Sequence, residues 1–198
     1  MNPSELMRQA RHFRDRLPLH WSIEEINCGN MADFNTTNDP FTLFGRMIPS
    51  YAQGVWSVCE ELFEEPRSMH YPLDALDPSS FIAQNDRCII FAYISGQCVG
   101  QVRFARNWNR YVHIADLAVK QEFRRQNVGR ILILATIQWA VAHHHVGISL
   151  ESQDVNLAAC RFYRKLGFTL GGFDEHFYQQ IPEVHGQGAL YWYLDIIT

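Results

Sequence analysis

The chain has 198 residues, of which 47% are hydrophobic and 19% charged; that suffices for one domain with a sizeable core and excludes wholesale disorder. A formal net charge of −4 and a pI of about 6.1 argue against a nucleic-acid binder and would suit a cationic small-molecule partner. No apolar run approaches the ~18 residues of a membrane span, and the opening MNPSELMRQARHFRDRL lacks the apolar stretch of a signal peptide.

In chain order, residues 4–17 predict a short amphipathic helix, with Leu6, Ala10, Phe13 and Leu17 on one face. Residues 1–25 are therefore expected to form an N-terminal helical extension of a single domain spanning 1–198. Residues 30–40 (NMADFNTTNDP) read as a loop. The next stretch is ambiguous: Thr42 to Ile48 fits a helix stopped by Pro49, and Trp56 to Leu62 fits an extended segment. Glu60, Glu61, Glu64 and Glu65 form an acidic group there, either a solvated face or one wall of an amine site.

From residue 88 the pattern sharpens. CIIFAYI, a Ser95-Gly96 turn and CVGQVRFA predict a hairpin, and VHIADLAV (112–119) a third strand. Residues 130–145 predict a long helix with Leu132, Ala135, Trp139 and Ala142 toward a sheet. ISLES (148–152) predicts a strand, 155–166 a helix capped by Gly167, and 168–178 and 188–196 two last strands. The order β-β-β-α-β-α-β-β implies an α/β (α+β) fold: a mixed sheet, mostly antiparallel, flanked by helices. The five cysteines (Cys28, Cys59, Cys88, Cys98, Cys160) are odd in number and form no CxxC pair, which reads as reduced thiols in a cytoplasmic protein.

Two segments carry chemistry. Phe123-Arg124-Arg125-Gln126-Asn127-Val128-Gly129-Arg130 joins an apolar strand to a helix start, where free N–H groups and the helix dipole favour phosphate oxygens. The alternative is a plain turn with exposed arginines. The segment has neither the Gly-Lys-Ser/Thr of a Walker loop nor the three glycines of a Rossmann loop. It resembles the pyrophosphate loop of GNAT acetyltransferases, Arg/Gln-x-x-Gly-x-Gly/Ala, with Arg124 and Gly129 matching and Asn127 replacing the middle glycine. Asn is the mildest such replacement, since it tolerates a left-handed backbone. NLAACRFYRKLGF (156–168) is likewise similar to the family's Asn-x-x-Ala-x-x-Phe-Tyr-x-x-x-Gly-Phe signature. NWNRYVHIADLAV, LESQDVNLAACRFY and GFTLGGFDEHFY together resemble streptothricin acetyltransferases, which acetylate an amine on the β-lysine arm of a cationic antibiotic.

The resemblance implies an acetyl-CoA-binding core over 88–178. It implies that backbone groups at Leu117 and Val119 pair with the pantetheine arm, that Arg124, Arg125, Gln126, Asn127, Val128, Gly129 and Arg130 cradle the pyrophosphate, and that Asn156 holds the arm or caps the following helix. Acetyl transfer to an amine needs a proton acceptor and a donor to the leaving thiolate. The resemblance makes Tyr163 the donor, and a phenol suits that role. Asp116, in an apolar strand, and Glu151 are both candidate bases, because a carboxylate there is costly unless it has a task. Cys160 has no histidine nearby in sequence to activate it, and three consecutive histidines, His143 to His145, cannot converge on one ion from a helix, so no metal is expected. The expected activity is acetylation of a primary amine on a small cationic molecule of the streptothricin type, without nucleic-acid or membrane partners and compatible with a homodimer. The alternatives are a protein N-terminus, a lysine or a polyamine as acceptor, or a silent acyl-CoA-binding module.

Overall fold

A computed structural model of the chain describes residues 3–196. Its first helix, α1 (Pro3–His12), buries Leu6 and Ala10, and a single 3-10 turn, Arg14–Arg16, follows. The expected helix is thus shorter and finishes in a tighter 3-10 turn. Residues Trp21–Glu25 then pair as strand β1, so the end of the presumed helical extension is a strand of the sheet.

The ambiguous stretch resolves as a two-stranded ribbon, β2 (Phe41–Ala52) and β3 (Val55–Met69), closed by Gln53 and Gly54 at φ 53° and 81°. Both turn residues are left-handed, as a tight hairpin requires. The helix expected over Thr42–Ile48 is therefore a strand: Leu43, Gly45 and Met47 are buried in alternation, a period of two. Pro49 does not break it. The Met47 N–H points away from β3 to the Asp154 carbonyl at 2.8 Å, and position 49 shares that direction, so its missing N–H costs the ribbon no bond.

The main sheet has the order β1-β4-β5-β6-β7-β9-β8. Its further strands are β4 (Arg87–Ile94), β5 (Gln97–Arg106), β6 (Tyr111–Val119), β7 (Gly147–Gln153), β8 (Thr169–Asp174) and β9 (Ala189–Asp195). Every neighbouring pair is antiparallel except β6 with β7. The β4 sequence is uniformly apolar because both faces are covered. Cys88, Ile90 and Ala92 join the main core, whereas Ile89, Phe91 and Tyr93 pack with Ile26, Phe81 and Cys98.

Helix α2 (Val128–Ala142) buries residues all round, from Val128 through Ala140, because α1 covers the side that the sheet does not. Ala142, expected on the buried stripe, is exposed at the helix end. Helix α3 (Leu157–Leu166) buries Leu157, Cys160, Tyr163 and Leu166 and ends at Gly167, φ 96°, whose N–H donates to the Arg164 carbonyl. Strand β8 stops at Asp174, which leaves Tyr178 beyond it rather than in it. Among the described residues, no helix is long and apolar enough to cross a membrane.

Candidate active site

The site begins with a bulge. Arg103 pairs with Asp116 and Phe104 with Ile114, so Ala115 is an extra residue in β6. The parallel ladder between β6 and β7 also ends there: it runs from Tyr111/Gly147 to Ile114/Leu150 and no further. Beyond it the strands part. Residues Asp116 to Val119 keep β5 as partner and Glu151 to Gln153 keep β9, leaving facing backbone edges with no ladder between them. Such an edge can accept an extended ligand as a strand would. Leu117 and Val119 lie on it.

At one end of this cleft is the loop into α2. Arg125 and Asn127 both have left-handed backbones, φ 64° and 69°, and lie exposed with Gln126 just before the helix's first free N–H groups. This alternation is one by which successive backbone N–H groups converge on an anion. Asn127 therefore adopts the conformation that its glycine-like position requires. Gly129 has another constraint: a Cβ there would meet Phe162 Cζ at 3.3 Å, so the missing side chain lets α2 approach α3. Arg124 also differs from expectation. Its guanidinium donates to the carbonyls of Val119 (2.9 Å), Pro40 (2.7 Å) and Asp39 (2.8 Å). Arg130 donates to Gln9 on α1, and Val128 is buried.

The two candidate carboxylates have different surroundings. Asp116 accepts from Gln101 Nε2 at 2.6 Å and faces Arg103, itself paired with Asp74 at 2.5 Å. Burial raises the Asp116 pKa, the Gln101 hydrogen bond and the Arg103 charge oppose the rise, and Asp74 adds to it. Glu151 is also raised by burial, against the hydrogen bond from the Tyr178 hydroxyl. Its Oε1 is buried without a protein partner. A carboxylate oxygen left unpaired beside an open cleft is available to a ligand.

Tyr163 is buried against Phe162, Phe168 and Trp192. Burial raises its pKa strongly, and the charges of Cys160, Tyr71, Asp116 and Glu151 add to the effect, so this phenol holds its proton within reach of both carboxylates' fields. Cys160 is buried, its thiol pushed up to about 12 chiefly by desolvation, which makes it a poor nucleophile. Asn156 caps α3, its Oδ1 accepting from the Ala159 N–H at 3.2 Å.

Several residues of the site were not singled out in the sequence. Tyr71 sits half-buried on Phe41 and donates to Gln153, in a stretch without periodicity. Tyr178 follows a strand end. Gln101, wholly buried in an apolar strand, was the one legible signal, since a buried amide implies a partner. One other expectation changes: Glu60 is held by Arg161 at 2.5 Å, leaving Glu61, Glu64 and Glu65 as the exposed acids of the ribbon outside that ion pair. His143 and His145 stack on Trp139.

A mixed sheet that parts between two parallel strands, with a helix start at one end of the parting and buried ionisable side chains beside it, is the architecture of acyl-CoA-dependent N-acyltransferases. The chain belongs to the acetyltransferase (GNAT) family, whose model matches residues 55–168. It is 38% identical over 164 residues to streptothricin acetyltransferase A of Bacillus subtilis (strain 168), covering 83% of this chain and 94% of that protein. To a streptothricin acetyltransferase of Escherichia coli it is 35% identical over 111 residues, 56% of this chain and 64% of that one. A Bacillus anthracis str. Ames protein, assigned as a streptothricin acetyltransferase and solved in complex with acetyl coenzyme A, superposes with a TM-score of 0.80. The two are 30% identical, and the match covers 88% of this chain and 97% of the other. The chain is an acetyl-CoA-dependent N-acetyltransferase.

Proposed function

We propose that the enzyme acetylates a primary amine of a small polycationic molecule of the streptothricin type, with Glu151 as the base and Tyr163 as the proton donor. The observation that carries this reading is the buried, unpartnered Oε1 of Glu151 at the point where β6 and β7 part. Acetyl-CoA, when bound, supplies an activated thioester. An ammonium must first lose a proton, and burial, which raises the Glu151 pKa, makes its carboxylate a stronger base for that step. Asp116, bonded by Gln101, shapes the opposite wall. Tyr163 enters the step protonated and passes its proton to the departing sulfur. Leu117 and Val119 supply backbone to the pantetheine arm, and the N–H groups from Gln126 to Arg130 hold the pyrophosphate.

The acidic balance and the exposed Glu61, Glu64 and Glu65 support a cationic acceptor. The reading is of one domain whose cofactor core spans 88–178, acting in the cytoplasm where acetyl-CoA is made and used. A thiol-release assay with acetyl-CoA tests it against streptothricin, spermidine and a peptide with a free N-terminus. Streptothricin is expected to give the highest kcat/KM; a higher value for spermidine or the peptide would reassign the acceptor.

A further inference from the structure

The loop 124–130 is tied to a polar segment 84 to 85 residues earlier. The Pro40 and Asp39 carbonyls each accept one Arg124 hydrogen bond, and Asp39 also uses Oδ2 to accept from the Gln121 N–H at 2.7 Å. The same segment runs on to the other side of the cleft. The Asn38 carbonyl lies 2.7 Å from His70 Nε2, and Asn35 Nδ2 donates to the Asp74 carbonyl at 3.0 Å. The Asn35 N–H donates at 2.9 Å to Gln101 Oε1, whose amide in turn bonds Asp116.

We propose that Arg124 is a positioning residue rather than a phosphate ligand. It anchors residues 35–40 as a strap that couples the cofactor loop to the wall formed by residues 70–74 and Asp116. The inference rests on the reading of residues 124–130 as the cofactor loop. The physical ground is donor geometry. A guanidinium presents five N–H groups in a fixed fork, and three of them here reach carbonyls on two separate segments. Burial lowers the Arg124 pKa while Asp39 opposes the change, as expected for a group enclosed by its own chain. A lysine could supply the charge but not the three-way grasp. Ordering the loop around a bound anion then orders residues 35–40, and through them the segment bearing Tyr71 and Asp74.

CoA alone is a sufficient probe. Calorimetry should give a Kd about tenfold weaker for both Arg124→Ala and Arg124→Lys, a coupling of ordinary size. Hydrogen exchange should show CoA slowing exchange in residues 35–40 and 70–74 of the unaltered enzyme. In both Arg124 variants the response at 70–74 should disappear while that at 125–130 persists. The double variant Asn35→Gly/His70→Ala keeps the anchor and the left-handed backbone at residue 35 (φ 65°) but cuts the strap's far end. It should bind CoA within about twofold of the parent and still lose the 70–74 response, which guards against misfolding of the arginine variants. If Arg124→Lys retains the parent's CoA affinity while Arg124→Ala loses it, the side chain is a charge contact and the inference fails. It fails equally if the 70–74 response survives in all three variants. A different result, no CoA binding by the unaltered enzyme, would overturn the loop assignment itself.

Discussion

A carboxyl group on β7 and a phenol on α3 approach one cleft from two elements, and substitution should separate their roles. Tyr163→Phe removes a hydroxyl and little volume. The CoA Kd should stay unchanged while kcat falls by roughly 10²–10⁴-fold, the range for a lost general acid; steady-state kinetics and calorimetry on the same variant check this. Glu151 also makes a stability prediction. Burial holds its folded-state pKa above the ordinary glutamate value, so the folded chain binds the proton more tightly than the unfolded one. Its favourable contribution is complete below the unfolded pKa and is lost as pH rises through the folded pKa. Glu151→Gln should therefore raise Tm at neutral pH, with the gain vanishing in acid, even as it lowers activity; calorimetric scans across pH would show either behaviour. These two residues and Asp116 were visible in the sequence because an ionisable group in an apolar strand or a signature helix stands out. The role of Arg124 was less so: two of its three bonds go to residues 84 and 85 positions away, which no local pattern reveals.

Among the elements, those from residue 88 onward were legible because their hydrophobic periods are long and their turns carry glycine. The ribbon was not. FTLFGRMI has a burial period of two, but its residues also suit a helix, and the long-range pairing with β3, joined by a bridge from Gly45 to Asn156, decides for a strand. An open backbone edge at Leu117 and Val119 was implied by the family resemblance alone, since the bulge at Ala115 leaves no mark in VHIADLAV. The loop before α2 gives a prediction at this scale. Asn127 sits at φ 69°, where glycine is unstrained and a β-branched residue costs about 1–2 kcal/mol or more. Asn127→Gly should leave CoA affinity equal or improved, whereas Asn127→Ile should lower both Tm and affinity; thermal shift with and without CoA reads both. Equal behaviour of the two variants would mean that the backbone conformation there is irrelevant to binding.

At the scale of the molecule, the net charge of −4 and the exposed acids of the ribbon should steer a polycation toward the cleft. For a polycationic acceptor, kcat/KM should fall between ~20 and ~200 mM salt as the Debye length shrinks. The double variant Glu61→Gln/Glu64→Gln should flatten that dependence and raise KM more than it lowers kcat. An unaltered salt profile would make the acidic ribbon a solvated face and nothing more. In the proposed mechanism, one open end of one sheet performs the proton transfers of acetylation, with Glu151 as base. The most direct test is the pH dependence of kcat/KM for streptothricin acetylation by the parent, Glu151→Gln and Asp116→Asn. The parent and Asp116→Asn should share a rising limb set by a carboxyl group of elevated pKa, and Glu151→Gln should lose that limb along with most of its rate. If Glu151→Gln keeps the limb and Asp116→Asn loses it, the base lies on β6 and the assignment is wrong.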